Sequence, residues 1–112
     1  MAGITAKDVD VAQIYENFTG GVLMSIVEHG FCAADEAEAF CTGGNLEWPD
    51  GKLPLNTSGG NLAEAYMHGL ELVLEGVRQL RGDSTCQVKA AHICLVAAGP
   101  MVSPVSDLLL RN

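Results

Sequence analysis

Leu62, Tyr66, Leu70, Val73, Val77 and Leu80 recur at steps of three and four and draw one apolar stripe. The spacing predicts a single long helix, starting directly after Gly59-Gly60 and stopping at Gly82. Glu64, His68, Glu71, Glu75 and Arg78 fall on its opposite side. Arg78 and Arg81 lie in the last turn, where cations suit the negative end of the helix dipole. The stretch Asn56-Thr57-Ser58-Gly59-Gly60 in front of it is a turn by composition. Such a turn either serves as a tight entry to the helix or gathers free N–H groups that would suit an anion or a developing oxyanion.

The other elements follow from shorter patterns. Val9, Val11 and Ile14 predict a strand over Asp8 to Tyr15, after an entry segment over residues 1–8. Asn17 is placed to cap a helix over Phe18 to Glu28 with Phe18, Val22, Leu23 and Ile26 on its buried face, and Gly30 stops it. Ala33 to Phe40 predicts a short acidic helix. A long connection from Thr42 to Leu55 follows, with Leu53-Pro54-Leu55 extended because a residue before proline avoids the helical region. Gln87 to Ala97 predicts a buried strand. Ala98-Gly99-Pro100 predicts a turn, and Val102 to Leu110 a last strand that Pro104 confines to an edge or a bulge.

Strands alternating with helices, then two closing strands, make the fold α/β with a mixed β-sheet covered by helices. The 112 residues suit one domain. So few strands beside so long a helix look like part of a larger unit.

Charge narrows the partners. Six basic residues against fourteen acidic ones leave a net charge of −8, which disfavours nucleic acid and anionic membrane surfaces. No apolar run reaches the ~18 residues that a membrane span requires. Cys32, Cys41, Cys86 and Cys94 show no Cys-x-x-Cys spacing and, with His29, His68 and His92, no metal-ligand spacing. They are expected to be reduced and inert, in a cytoplasmic protein, with Cys94 a small buried hydrophobe.

Four segments in order carry a resemblance: Tyr15-Glu16-Asn17-Phe18-Thr19, Gly30-Phe31-Cys32, Leu53-Pro54-Leu55-Asn56-Thr57-Ser58-Gly59-Gly60 and Gln79-Leu80-Arg81-Gly82. Together they resemble the C-terminal half of the thiolase superfamily, closest to its sterol-carrier-protein thiolase and lipid-transfer-protein branch. The resemblance covers nearly the whole chain. It implies a thiolase-like half-fold lacking its first strand and helix, and a domain, residues 1–112, that is incomplete relative to the family.

Members of the superfamily act on acyl-CoA thioesters and make or break a carbon–carbon bond beside the thioester, so coenzyme A is expected as part of the substrate and no tightly bound cofactor is. The half carrying the nucleophilic cysteine is not represented here. Where family thiolases carry a histidine shortly after the Gly-Gly pair, this chain has Tyr66. Where they carry the asparagine of Asn-Glu-Ala-Phe, it has Tyr15. The second family cysteine aligns near Val96 and Ala98, two residues past Cys94.

Tyrosines in those two places resemble the thiolase-like aldolases that shorten steroid side chains. The resemblance implies a retro-aldol cleavage with Tyr66 and Tyr15 as catalytic residues. Apart from it, His68 is either a further catalytic residue at the site mouth or a surface or structural histidine, and Asn56, with Gly59 and Gly60, either shapes the substrate loop or only makes the local turn. Phenols can relay protons and donate to an oxyanion, although one acting as base needs a lowered pKa. The implied partners are a second copy of the chain or a subunit supplying the N-terminal half, and an OB-fold (DUF35-type) protein. Two other readings stand beside this one: a conventional acyl-CoA acyltransferase subunit with its cysteine on another chain, and a non-catalytic acyl-CoA- or lipid-binding or assembly module.

Overall fold

The computed structural model describes residues 3–99, 101 and 103–112. Its elements are β1 (Val11–Ile14), α1 (Thr19–Glu28), α2 (Ala37–Thr42), α3 (Gly60–Ala63), α4 (Leu70–Arg81), β2 (Ile93–Ala98) and β3 (Ser106–Arg111). The sheet runs β1-β2-β3, with β1 and β2 parallel and β2 and β3 antiparallel, so it is mixed as the alternation of elements implied. Beyond β1, Leu55 bridges Ala12, and the expected extended segment around Pro54 is in place.

Both faces of the sheet are covered, because alternate residues of a strand point to opposite sides. Val11, Cys94 and Val96 face α4 and gather around Leu72, Val88 and Ala91. Ala12, Ile14, Leu95 and Ala97 face the other way, onto Ile26 of α1 and Leu53. β2 is the central strand, with its four inner residues buried. β3 is an edge strand and largely exposed.

Three strands are shorter than the apolar patterns suggested. β1 begins at Val11 rather than Asp8, which closes a 3-10 turn over residues 6–8, and residues 87–92 approach the sheet as turn and loop before β2 begins. Pro104 lies ahead of β3 rather than within it. The parts of the sequence reading that fall on Met1, Ala2, Pro100 and Val102 lie outside the described residues. α1 ends at Gly30 as expected: the Gly30 N–H donates to Val27 O at 2.9 Å and Phe31 N–H to Ile26 O at 3.1 Å. Asn17 does not cap it in the expected way, since its Oδ1 accepts from the neighbouring Phe18 N–H and Phe18 occupies the cap position.

The long helix is the main correction. It is not continuous: α3 ends at Ala63, and α4 begins at Leu70. Tyr66, His68 and Gly69 between them have φ of 50°, 52° and 94°, which no helix contains. Gly69 in the middle of the apolar pattern was the sequence signal for the break.

The inward side of α4 is also reversed. Glu71, Leu72, Glu75, Gly76 and Gln79 are buried, while Leu70 and Leu74 are 49% and 45% exposed and Leu62 is 89% exposed. Polar residues win the inward position because each finds partners there. Glu75 Oε1 accepts from Thr57 Oγ1 at 2.6 Å and Ser84 Oγ at 2.7 Å. Gln79 Nε2 donates to Thr57 Oγ1 and to Cys86 O, and its Oε1 accepts from Val88 N–H at 2.8 Å. Gln13, on the α4 side of β1, joins through its Nε2 to Thr57 Oγ1. A buried polar network of this kind is stabilised as its members are satisfied, and here the Gln13 Oε1 is left without a partner.

Candidate active site

β1 delivers Tyr15 to the C-terminal edge of the sheet, where the Tyr15 N–H still pairs with Ala97 O. This is the edge at which open α/β sheets present their reactive side chains. The loop between α3 and α4 carries Tyr66 and His68 to the same place. The two phenol oxygens lie 3.2 Å apart, within hydrogen-bond distance. The Tyr15 and Tyr66 rings meet edge-on with centroids 6.5 Å apart, and Tyr66 meets His68 edge-on at 5.4 Å. Tyr66, His68 and Tyr15, chosen from separate parts of the sequence, therefore form one cluster.

The loop is held from below. Glu71, 2% exposed, accepts the Met67 N–H at 3.0 Å and the Gly69 N–H at 3.3 Å. Gly69 packs against Tyr15: a Cβ there would stand 3.1 Å from the ring, on a backbone that L side chains rarely adopt.

Tyr15 is not tuned to act as a base. Its phenol is pushed up to about 12, first by its hydrogen bond to Tyr66, then by partial loss of water and by the charges of Tyr66, Glu71 and Glu16. A group whose native pKa is raised holds its proton longer folded than unfolded. Its contribution to stability is complete below the ordinary phenol value of about 10 and lost as pH rises from there towards about 12. Resistance of the chain to chemical unfolding should therefore fall as pH rises across that window. In Tyr66→Phe, which lacks the hydrogen bond, the dependence should shrink.

Asn56, Gly59 and Gly60 lie beside this cluster in sequence order but have other engagements. The Asn56 carboxamide continues the β-ladder: Oδ1 accepts Ile14 N–H at 2.8 Å and Nδ2 donates to Ile14 O at 2.9 Å. Asn56 thus fixes the last residue of β1 before Tyr15, a cross-strand role rather than a bond within its own turn. Gly59 N–H closes the turn onto Asn56 O. The Asn61 N–H at the start of α3 donates to the carboxylate of Glu16, which also takes Asn61 Nδ2 at 2.9 Å. A Cβ on Gly60 would collide with that carboxylate. The double-glycine turn therefore cradles an anion, and the anion is the chain's own Glu16. Sequence reasoning missed Glu16 in this role. Its place next to Tyr15, in a segment already singled out, was the available clue.

The remaining chemistry-bearing groups lie apart. Cys94 is fully buried against α4, and burial with the nearby Glu75 pushes its thiol up to about 12, so it is inert as expected. Cys32 is likewise raised, first by burial, then by Cys41 and Glu36. Among the described residues no group of three or more His, Cys, Asp or Glu is placed to hold a metal ion. No described helix is long and apolar enough to cross a membrane. A hollow of about 280 Å³ lined by Val9, Phe31, Phe40, Lys52 and Leu53 sits at the opposite end of β1 from the tyrosines.

A mixed sheet with this order, covered on both faces, is consistent with the C-terminal half of a thiolase-like fold. A sequence model described as "Thiolase C-terminal domain-like" matches residues 1–111, and the chain belongs to that family. It is 46% identical over 109 residues to a 17-hydroxy-3-oxo-4-pregnene-20-carboxyl-CoA lyase of Mycobacterium tuberculosis, covering 97% of this chain and 28% of that protein. It is 45% identical to a steroid side-chain-cleaving aldolase of Thermomonospora curvata, covering 97% of this chain and 27% of the relative. A solved Ltp2-ChsH2(DUF35) aldolase superposes with a TM-score of 0.91 at 45% identity, over 97% of this chain and 28% of its own. The chain thus spans little more than a quarter of the length of the relatives it matches.

Proposed function

We propose that this chain is the C-terminal portion of a thiolase-like enzyme that cleaves a β-hydroxyacyl-CoA by a retro-aldol reaction, with a steroid-type acyl group as its substrate class. The observation that carries the reading is the 3.2 Å contact between the Tyr15 and Tyr66 hydroxyls at the sheet edge. The names of the relatives support the substrate class.

The chemistry needs a proton moved twice and no acyl-enzyme. A base takes the hydroxyl proton of the substrate, and the O–H electron pair becomes the second bond of a carbonyl. The bond between that carbon and the α-carbon breaks, and its electron pair passes into the thioester as an enolate. A proton then returns to the α-carbon, leaving a ketone or aldehyde and a shortened acyl-CoA. Tyr15, which keeps its proton to about pH 12, is the donor: it stabilises the enolate or hands it a proton. Tyr66 is the relay, and His68 beside it is the side-chain type suited to accept a proton near neutral pH. Asn56 and the Glu16-filled turn at Gly59-Gly60 set the height of Tyr15 at the end of β1.

The rest of the site comes from the length that the relatives possess and this chain does not span. Coenzyme A enters as part of the substrate. A DUF35-type, OB-fold partner and a second copy of the thiolase unit complete the assembly, which works in the cytoplasm.

The test is cleavage of a β-hydroxyacyl-CoA by the completed enzyme, with and without free coenzyme A. Retro-aldol cleavage gives a carbonyl product at the same rate in both. A strict requirement for free coenzyme A would identify thiolysis and overturn the reading.

A further inference from the structure

We infer that Glu71 is the positioning residue of this site: its buried carboxylate clamps the Met67 and Gly69 amides and so fixes the loop that sets the Tyr66 hydroxyl against Tyr15. This rests on the role given above to the two tyrosines, and it names a residue that touches neither phenol through a hydrogen bond of its own.

Besides the phenol contact and the Leu70 N–H bond to Met67 O at 3.3 Å, the loop has little else to hold it. Tyr66, Met67 and His68 are all exposed, Tyr66 by 45% and Met67 by 54%. Two of those residues, Tyr66 and His68, have left-handed backbone, which is costly for a non-glycine residue and persists where the surroundings enforce it. The enforcing contacts are the two N–H bonds to Glu71, at 3.0 and 3.3 Å, one to each carboxylate oxygen. Glu71 is in the first turn of α4, where a carboxylate is favoured by the helix dipole, and α4 is anchored on the sheet through Leu72. The clamp therefore ties the exposed end of the cluster to a helix packed on the sheet. Gly69, held in the same grip, packs on the Tyr15 ring, so both phenols are referenced to one carboxylate.

A glutamine at 71 keeps the shape of the side chain but has a single acceptor oxygen for the two amides. The chain offers a specific readout, because Tyr15 and Tyr66 are its two tyrosines and all tyrosinate absorbance comes from this pair. In the parent chain Tyr15 stays protonated to about pH 12 while it is bonded to Tyr66, with Glu71 and Glu16 as the other charged groups beside it. The Glu71 charge itself raises Tyr15, so the variant to titrate is the charge-keeping Glu71→Asp, whose shorter side chain draws back from the two amides: its Tyr15 ionisation should move down towards the ordinary value of about 10, read below the pH at which circular dichroism shows unfolding. Titration of Glu71→Asp indistinguishable from the parent would overturn the inference.

Hydrogen exchange on the unsubstituted chain needs no folded variant. The Met67 and Gly69 amides should exchange at least tenfold more slowly than an open loop of the same sequence. Exchange at the open-loop rate would overturn the clamp. In the completed enzyme Glu71→Gln should lower kcat with KM little changed; loss confined to KM would contradict a positioning role. Titration and exchange do not depend on turnover. A clamp seen in both, beside a Tyr66→Phe enzyme of full activity, would sink the proposed function and not the clamp.

Discussion

Replacing Tyr66 with phenylalanine should lower kcat of the completed enzyme by about 10²–10⁴-fold, the usual worth of a positioned proton-transfer group, with KM changed little. The substitution removes one oxygen and leaves the ring, so the edge-on contacts to Tyr15 and His68 persist. What disappears is the hydroxyl 3.2 Å from that of Tyr15. An interaction made chiefly in the transition state appears in kcat, whereas one that only holds substrate appears in KM. Tyr66 is also largely exposed in this chain, so its hydroxyl contributes little to folding, and a loss of activity would not be a loss of structure. Comparing melting curves of the two chains checks this directly.

The second large effect is on stability. Gln79→Ala should destabilise the chain by about 3–5 kcal/mol, the range for leaving buried polar and charged partners unmatched, and lower its melting temperature by roughly 10 °C or more. Gln79 is 1% exposed. Its amide nitrogen serves Thr57, Glu75, Ser84 and the Cys86 carbonyl. Its oxygen takes the Val88 amide and Gln87. Alanine leaves the Val88 N–H and the Cys86 carbonyl without these bonds, and the Glu75 carboxylate with fewer donors. Leu74→Ala, on the apolar side of the same helix, should cost less than about 1 kcal/mol in this chain because Leu74 is 45% exposed. Thermal melts of the two variants would rank them in that order. The reverse order would mean that the leucine stripe, not the glutamine, faces the sheet.

That contrast marks how far the sequence could be read. Periodicity put Glu71 and Glu75 on one side of α4, and they do share one, with Gln79 beside them and Arg78 left outside. It could not tell which side faces inward, because the partners that make the polar side buryable, Thr57, Ser84 and the Val88 amide, come from distant segments. The mixed sheet was legible because Ile93 to Ala97 is an unbroken apolar run and Val9, Val11 and Ile14 are β-formers around Gln13, and the extended segment at Leu53 was legible through the constraint of Pro54. The break at Tyr66 to Gly69 was not, because Leu62 and Tyr66 fit the helical period by coincidence and only Gly69 spoke against it. The meeting of Tyr15 with Tyr66 came from the family resemblance, not from spacing: 51 positions separate the two. The Gly59-Gly60 turn was legible as a turn, with a tight helix entry and an anion site both open; that the Glu16 carboxylate fills it could not be had from spacing, since it comes from 45 positions away.

The central claim is that two phenols in contact work as one proton-handling unit. A double-mutant cycle in the completed enzyme tests it most directly, with turnover measured for Tyr15→Phe, Tyr66→Phe and both together. The account predicts that the double variant loses about as much as either single one, since breaking the pair from one side already breaks it. Losses that multiply, or single variants that keep full turnover, would contradict it.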